Sequence, residues 1–197
     1  MKARFDEFDG GFTWVVDERA HRTCQALADG GRVWLIDPVD VPEAIDRAAG
    51  LGAPAGVIQL LDRHNRDCAA LAGRLGVPHL RLPETVPDAP FELFRVVWRP
   101  GWRELGLWWP AKRTLVVAES VGTLPLFTAG EGSAGVHPLL RLLPPRVLGH
   151  YEPEHLLVGH GPGVHGPQAA TAVHHALDRS RADLPRLLAR LPSLIRS

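Results

Sequence analysis

The sequence predicts an α/β (α+β) protein: a four-layer αββα sandwich in a single domain, residues 1–197, with two similar halves at about 1–90 and 91–197. Two observations predict this architecture. Apolar runs of strand length alternate with helical patterns, and the order of hairpin, helical stretch and buried strand occurs once in each half. Because each β-rich unit must bury an apolar face, we expect the two sheets to stack on each other with the helices outside.

Composition and charge argue against several classes of protein. The chain is 45% hydrophobic and 22% charged, with 22 basic and 22 acidic residues, so it carries no electrostatic signature of a nucleic-acid or anionic-membrane partner. The N-terminal MKARFDEFDGG lacks the apolar segment of a signal peptide, and no apolar run approaches the ~20 residues of a membrane span. Cys24 and Cys68 form no disulfide framework. We expect a soluble, cytoplasmic protein with no nucleic-acid or membrane partner.

The elements of the first half have local signals. Two apolar runs flank the turn DGG at 29–31, where glycine accepts a positive φ, so 23–39 predicts a hairpin. Pro42 suits a first helical turn, and Gly50 and Gly52 end that helix. The predicted elements are a strand at 11–18, the hairpin, a helix at 41–52, a buried parallel strand at 55–62, a helix at 66–76 and a short strand at 77–84.

The second half repeats this order. Its predicted elements are a strand at 91–99, a strand–turn–strand at 105–120, a short helix at 135–145, a buried strand at 155–163 that runs into a glycine-rich loop, a helix at 167–180 and a last helical piece at 183–195. The two hairpins end in Asp37 and Glu119, and the two buried strands end near His64 and His160. In a stacked sandwich these four side chains are expected along one edge.

The stretch LLDRHNRDCAAL, residues 61–72, carries the main chemical signal. An apolar strand ends, His and Asp alternate with Arg and Asn, and an apolar helical run begins, as at a metal site at the end of a strand. Arg63 and Arg66 are unfavourable there, because arginine is always charged and offers only donors. The later GHGPG loop is either an anion-binding nest or a tight turn that needs its glycines.

Four segments together resemble the metallo-β-lactamase-fold hydrolases. They are ADGGRVWLIDP, VIQLLDRHNRDCAALAGRLGVPHL, TLVVAESVGT and LLVGHGPGV, and the resemblance runs over about residues 12–180. In that family the first is the hairpin ending in LIDPG and the second leads into the HxHxDH ligand motif. The third ends in the Asp that bridges two metals, and the fourth carries the last ligand His. The resemblance implies a sandwich of the metallo-β-lactamase type and a structural role for Asp37.

The segments that carry the family's ligands are present in this sequence, but most of the ligand residues themselves are replaced. The resemblance carries them onto Asp62, His64, Arg66 and Asp67 for HxHxDH, Trp102 for the middle histidine, Glu119 for the bridging Asp and His160 for the last histidine. Arg66 and Trp102 cannot ligate a cation. An arginine ~4 Å from a divalent cation is repulsive by several kcal/mol in a partly buried site, so a two-metal centre is not expected.

Two states of the site remain open. The candidate residues are Asp62, His64, Glu119 and His160 as ligands of at most one metal, Asp67 as a catalytic base, and Arg63, Arg66 and Trp102 as further residues lining the site. In one state no cofactor is bound, and the arginines pair with neighbouring carboxylates in the space of the metals. In the other, the two carboxylates and two imidazoles hold one Zn, Fe or Mn ion.

Three functions follow from these states. The first is a superfamily member that has lost the binuclear zinc centre and acts as a binding or non-catalytic protein for a small-molecule ligand. The second is a mononuclear metal-dependent hydrolase of an ester, thioester or lactone, with Asp67 as the base. The third is a metal-free hydrolase using Ser120 and His160, which lacks a G-x-S-x-G elbow. The tryptophans within 98–109 also predict a face for a homodimer.

Overall fold

The structure, a computed structural model, describes residues 2–194. Its elements in chain order are β1 (Ala3–Phe8), β2 (Gly11–Val16), β3 (Thr23–Asp29), β4 (Arg32–Ile36), α1 (Pro42–Leu51), β5 (Ala53–Gln59), α2 (Cys68–Leu75), β6 (His79–Arg81), β7 (Glu92–Arg99), β8 (Trp102–Trp109), β9 (Thr114–Val117), β10 (Val121–Gly122), α3 (Pro125–Thr128), β11 (Gly135–Val136), β12 (His155–Val158), β13 (Val164–His165), α4 (Gln168–Arg179) and α5 (Leu184–Leu194). Short 3₁₀ turns cover Pro110–Lys112, Pro138–Leu140 and Arg146–His150. The predicted helical piece at 183–195 is confirmed as far as Leu194, and its last residue lies outside the described residues.

Two sheets form the body of the protein. The first has the strand order β1-β2-β3-β4-β5-β6, antiparallel from β1 to β4 and parallel from β4 to β6. The second has the order β13-β12-β9-β8-β7, in which β9 and β12 are parallel. β10 and β11 form a separate antiparallel ribbon. The predicted hairpin at 23–39 is confirmed as β3 and β4, with Asp29 opposite Arg32 across the turn.

The layers follow from the alternation of side chains along the strands. In β5, Ile58 belongs to a core cluster that includes Leu107 of the second sheet. Its neighbour Val57 points to the other face, into a cluster with Leu71 of α2. On the far side, α4 packs against β12 and β13, and Val173 joins the core from there. The order helix, sheet, sheet, helix confirms the predicted αββα sandwich.

Two local predictions need correction, and one strand has no counterpart among the predictions. The pattern of residues 3–8 does not predict β1, a mostly half-buried strand that joins the first sheet through pairing with β2. The helix predicted at 135–145 is wrong, because this segment begins as β11 and continues only as a 3₁₀ turn. Pro144 and Pro145 lack the amide hydrogens that an α-helix would require there. The strand predicted from residue 105 begins earlier, at Trp102.

The strand ends that carry the candidate residues meet along one edge of the sandwich. The chain passes from β5 to His64, from β9 to Glu119 and from β12 to His160. At this edge the Thr23 amide donates to the Gly159 carbonyl at 2.9 Å, which ties the first sheet to the second. Side chains from three different strand ends are therefore held within reach of one another.

The surface bears on the predicted partners in two ways. Trp102 and Trp109 are buried, whereas Trp98 is 43% exposed, with Arg95 and Arg103 over its ring. The homodimer at this face stays a prediction. Within residues 2–194, the structure contains no helix that is both long enough and apolar enough to cross a membrane.

Candidate functional site

Three of the four predicted metal ligands converge at the strand edge. One ligand atom each of His64, Glu119 and His160 lies within 4.8 Å of the other two. His64 is buried, and the other two are partly exposed. The three residues come from loops that follow three different strands, and the parallel pairing of β9 with β12 brings two of those strand ends side by side.

A hydrogen bond at Nδ1 orients both imidazoles of this cluster. His64 Nδ1 lies 2.9 Å from Asp37 Oδ2, and the other oxygen of Asp37 accepts from the Leu60 amide at 3.0 Å. His160 Nδ1 lies 3.0 Å from the Ala20 carbonyl oxygen, which can only accept. We therefore assign the proton to Nδ1 in both rings, which leaves both Nε2 lone pairs free. Asp37 is 2% exposed and orients His64, in agreement with a structural role.

The electrostatics of the site keep His160 neutral. Burial lowers the pKa of His160 to about 4, and the positive charge of Arg66 and the proximity of His64 add to this shift. The hydrogen bond to Ala20 opposes it only in part. At pH 7 the ring is therefore uncharged, which is the form of imidazole that binds a metal ion.

Glu119, at the family's bridging carboxylate, is paired with an arginine. Arg63 Nη2 donates to Glu119 Oε2 at 2.6 Å, and Arg63 Nη1 donates to the Gly101 carbonyl at 3.2 Å. The guanidinium lies 4.0 Å from the centre of the Trp102 ring, a cation–π contact. The indole of Trp102, where the sequence resemblance places the family's middle histidine, thus supports the arginine that neutralises Glu119. The expected pairing of an arginine with a carboxylate is present here.

Glu104, a residue that the sequence analysis does not single out, fixes the turn that carries Glu119. Its side chain is 0% exposed, and Oε1 accepts from the amides of Ala118, Glu119 and Ser120 at 3.1, 3.0 and 3.0 Å. The Ser120 hydroxyl donates to the same oxygen at 2.8 Å, and Trp102 Nε1 donates to Oε2 at 3.0 Å. Ser120 is 0% exposed and does not line the pocket beside Glu119, which argues against its use as a nucleophile.

Arg66 binds backbone carbonyl groups. Its Nη1 donates to the carbonyl oxygens of Thr23 at 2.7 Å and Asp37 at 2.8 Å, and its Nη2 donates to that of Gly159 at 3.1 Å. These carbonyls belong to β3, to the residue after β4 and to the residue after β12. One guanidinium therefore joins three strand ends across the two sheets, at the position onto which the sequence resemblance carries the family's aspartate ligand.

Asp62 and Asp67 lie outside the cluster of His64, Glu119 and His160. Asp62 Oδ2 accepts from the Arg103 amide at 3.0 Å, and its Oδ1 is 3.8 Å from Arg63 Nη1. Asp67 precedes α2, and its Oδ2 accepts from the Asp40 amide at 2.8 Å. Both carboxylates thus have structural partners, and their predicted roles as metal ligand and base stay predictions.

The glycines of the GHGPG loop permit close packing. A Cβ atom at Gly159 would lie 2.0 Å from the Ala118 carbonyl oxygen. Gly161 has a φ of +93°, and its amide donates to the His21 carbonyl at 3.1 Å. Because that amide already has a partner, the geometry favours the tight turn over the anion-binding nest.

A pocket of about 510 Å³ opens beside the cluster. Its lining consists of Arg19, Ala20, His21, Glu119, Leu124, Pro125, Leu126, Phe127, His137 and His160. His137 is a site residue that sequence reasoning misses, since only its place before Pro138 distinguishes it. Its Nε2 lies 3.9 Å from Glu119 Oε1, and its ring contacts the ring of Trp102 with centroids 4.8 Å apart. Burial lowers the pKa of His137, and the negative charge of Glu119 partly opposes this shift.

Comparison with known proteins identifies the fold. No protein-family model and no curated protein sequence matches the chain. Among solved structures it is similar to the metallo-β-lactamase DIM-1 exposed to ceftazidime, with a TM-score of 0.64 and 14% identity over 92% of this chain and 98% of that one. For TMB-1 the TM-score is 0.62, with 15% identity over 91% and 97%.

A third match is the metallo-β-lactamase from Pontibacter korlensis, with a TM-score of 0.61 and 12% identity over 91% of this chain and 99% of that one. These matches span nearly the whole of both chains. At such low identities they establish the architecture alone. The protein has the metallo-β-lactamase fold.

Proposed function

We propose that this protein is a metallo-β-lactamase-fold member without a two-metal centre, and that it binds a small molecule in the pocket beside Glu119. The observation that carries the proposal is the position of Arg66. Where the family motif has an aspartate ligand, this chain has a guanidinium hydrogen-bonded to three carbonyl oxygens from both sheets. The Arg66 guanidinium, a cation that belongs to the chain itself, thus joins the strand ends in place of a bound metal ion.

The donors at the family's ligand positions do not fit two metal ions. Arg66 and Trp102 offer no lone pair to a cation. Asp62 lies outside the cluster and accepts from the Arg103 amide. A second ion would need several further donors placed to within ~0.2 Å. The matching positions thus provide one cluster, in which Glu119 is already bound by Arg63.

The charge balance also supports a metal-free site. Glu119 already has a cation, because Arg63 donates to it at 2.6 Å and is itself held by Trp102 and by the Gly101 carbonyl. An added divalent ion would compete with that arginine for the carboxylate and would be repelled by both guanidinium groups. The pocket is then left to bind a neutral or weakly polar ligand.

A second candidate, a mononuclear hydrolase, is favoured by one observation. His64 and His160 present Nε2 lone pairs near the carboxylate of Glu119, and this donor set suits one Zn, Fe or Mn ion. These three residues would hold the ion, which when bound would lower the pKa of a water molecule and polarise a carbonyl group. Asp37 and the Ala20 carbonyl would keep the two rings oriented.

Hydrolysis assays separate the two candidates. Wild-type protein is incubated with activated ester, thioester and lactone substrates, after chelation and again with Zn²⁺, Fe²⁺ or Mn²⁺. We expect no metal-dependent turnover. Turnover that requires a metal, is lost in His160→Ala and is retained in His150→Gln, a change at an exposed histidine, would overturn the proposal in favour of the mononuclear hydrolase.

A further inference from the structure

One wall of the pocket presents a donor and an acceptor side by side. His137 Nε2 and Glu119 Oε1 are 3.9 Å apart, which is too far for a direct hydrogen bond. Both side chains line the pocket. A single oxygen atom can nevertheless lie within about 2.8 Å of both.

The hydrogen-bond partners of His137 fix which role its Nε2 plays. The Leu139 amide donates to His137 Nδ1 at 3.2 Å, so Nδ1 is the unprotonated nitrogen. Nε2 of the neutral ring therefore carries the hydrogen and is a donor. Ring contacts with Trp102 and Phe127, at centroid distances of 4.8 and 5.5 Å, hold the imidazole in this orientation.

The role of Glu119 is fixed in the same way. Its Oε2 accepts from Arg63, and its Oε1 is the oxygen that faces His137. The amide hydrogen bonds of Ala118, Glu119 and Ser120 to Glu104 hold the backbone of this turn in place. Oε1 is thus a positioned acceptor opposite a positioned donor.

A hydroxyl group is the ligand chemistry that matches this pair, since it accepts from one neighbour and donates to the other. A carboxylate would bring a second negative charge to Glu119, and an ammonium group has no lone pair for His137. The nearby lining from Leu124, Leu126 and Phe127 is apolar. We propose that the pocket binds an apolar small molecule through one hydroxyl group, held between His137 Nε2 and Glu119 Oε1. This rests on the proposed function as a small-molecule-binding protein.

The test compares three probes of similar shape: benzyl alcohol, toluene and benzoate. Binding to the chelator-treated wild-type protein is measured by titration with backbone-amide NMR. We expect benzyl alcohol to bind about tenfold more tightly than toluene and benzoate, because it alone makes both hydrogen bonds without an added charge. Equal binding of benzyl alcohol and toluene, or tighter binding of benzoate, would overturn the inference without any variant.

Two substitutions locate the effect. His137→Phe keeps a ring against Trp102 and removes the donor, and we expect it to abolish the preference for benzyl alcohol over toluene. His150→Gln, at an exposed histidine, should leave that preference unchanged. An unchanged preference in a folded His137→Phe protein would contradict the inference.

The two proposals fail in different ways. Metal-dependent turnover, together with an intact preference for benzyl alcohol after chelation, would contradict the proposed function and support the hydroxyl site. Absence of turnover, together with no preference among the probes, would contradict the hydroxyl site alone.

Discussion

Arg66→Met tests whether the guanidinium replaces a metal as the cross-link between strand ends. The substitution keeps an unbranched side chain and removes hydrogen bonds to the carbonyls of Thr23, Asp37 and Gly159. A hydrogen bond to a charged group contributes about 1.5–3 kcal/mol. The three bonds share one partly exposed group and are not additive, so we expect a loss of about 3 kcal/mol in the free energy of unfolding.

The assay is urea unfolding at pH 7.5 with a chelator, supported by thermal unfolding. For a chain of this length, about 3 kcal/mol corresponds to a fall of roughly 6–12 °C in Tm. Arg146→Met is the matched control, because Arg146 and Asp178 form an exposed pair at 3.5 Å. We expect the control to lose less than about 0.5 kcal/mol. A loss in Arg66→Met no larger than in the control would refute this view of Arg66.

Three further predictions concern the same edge. Glu104→Gln should lower the free energy of unfolding by about 2 kcal/mol in urea, because the amide NH₂ group faces either Trp102 Nε1 or the three amide donors; an unchanged midpoint would contradict this. The pKa of His160 is about 4 in the folded protein and about 6.5 in the unfolded chain. As the pH falls, the unfolded chain therefore takes up the proton at a higher pH than the folded protein does. Stability in chelator should therefore fall by up to about 3 kcal/mol from pH 7 to pH 4, and His160→Gln should reduce that slope in urea titrations. Gly159→Ala should greatly reduce soluble, folded protein as judged by circular dichroism, whereas Gly73→Ala, with open space around its Cβ, should not.

The sequence predicts those parts of the fold that a short stretch of residues determines by itself. The DGG turn defines the hairpin of β3 and β4, and the apolar run before residue 60 defines β5. The strand ends then predict that His64, Glu119 and His160 converge. The polar β1 strand escapes prediction because its partner β2, rather than its own pattern, makes it a strand.

The rest of the site depends on contacts that one sequence does not display. Glu104 is a carboxylate in the middle of a strand, and its burial becomes visible only when β8 lies beside the turn after β9. His137 reaches Glu119 from residues 135–145, where the apolar pattern predicts a short helix that does not form. The sequence predicts that an arginine pairs with a carboxylate, and Arg63 does so with Glu119. Arg66 binds backbone carbonyl groups. Because every residue has one, the sequence does not indicate which of them an arginine will bind.

Metal content tests directly whether this protein lacks the two-metal centre of the family, as we propose. The protein is produced without a polyhistidine tag, purified without chelator from medium containing zinc, iron and manganese, and analysed for all three elements. We predict substoichiometric amounts of each. One equivalent of a single metal, lost in both His64→Ala and His160→Ala and retained in His150→Gln, would contradict a metal-free site, and two equivalents would contradict the proposed absence of a two-metal centre.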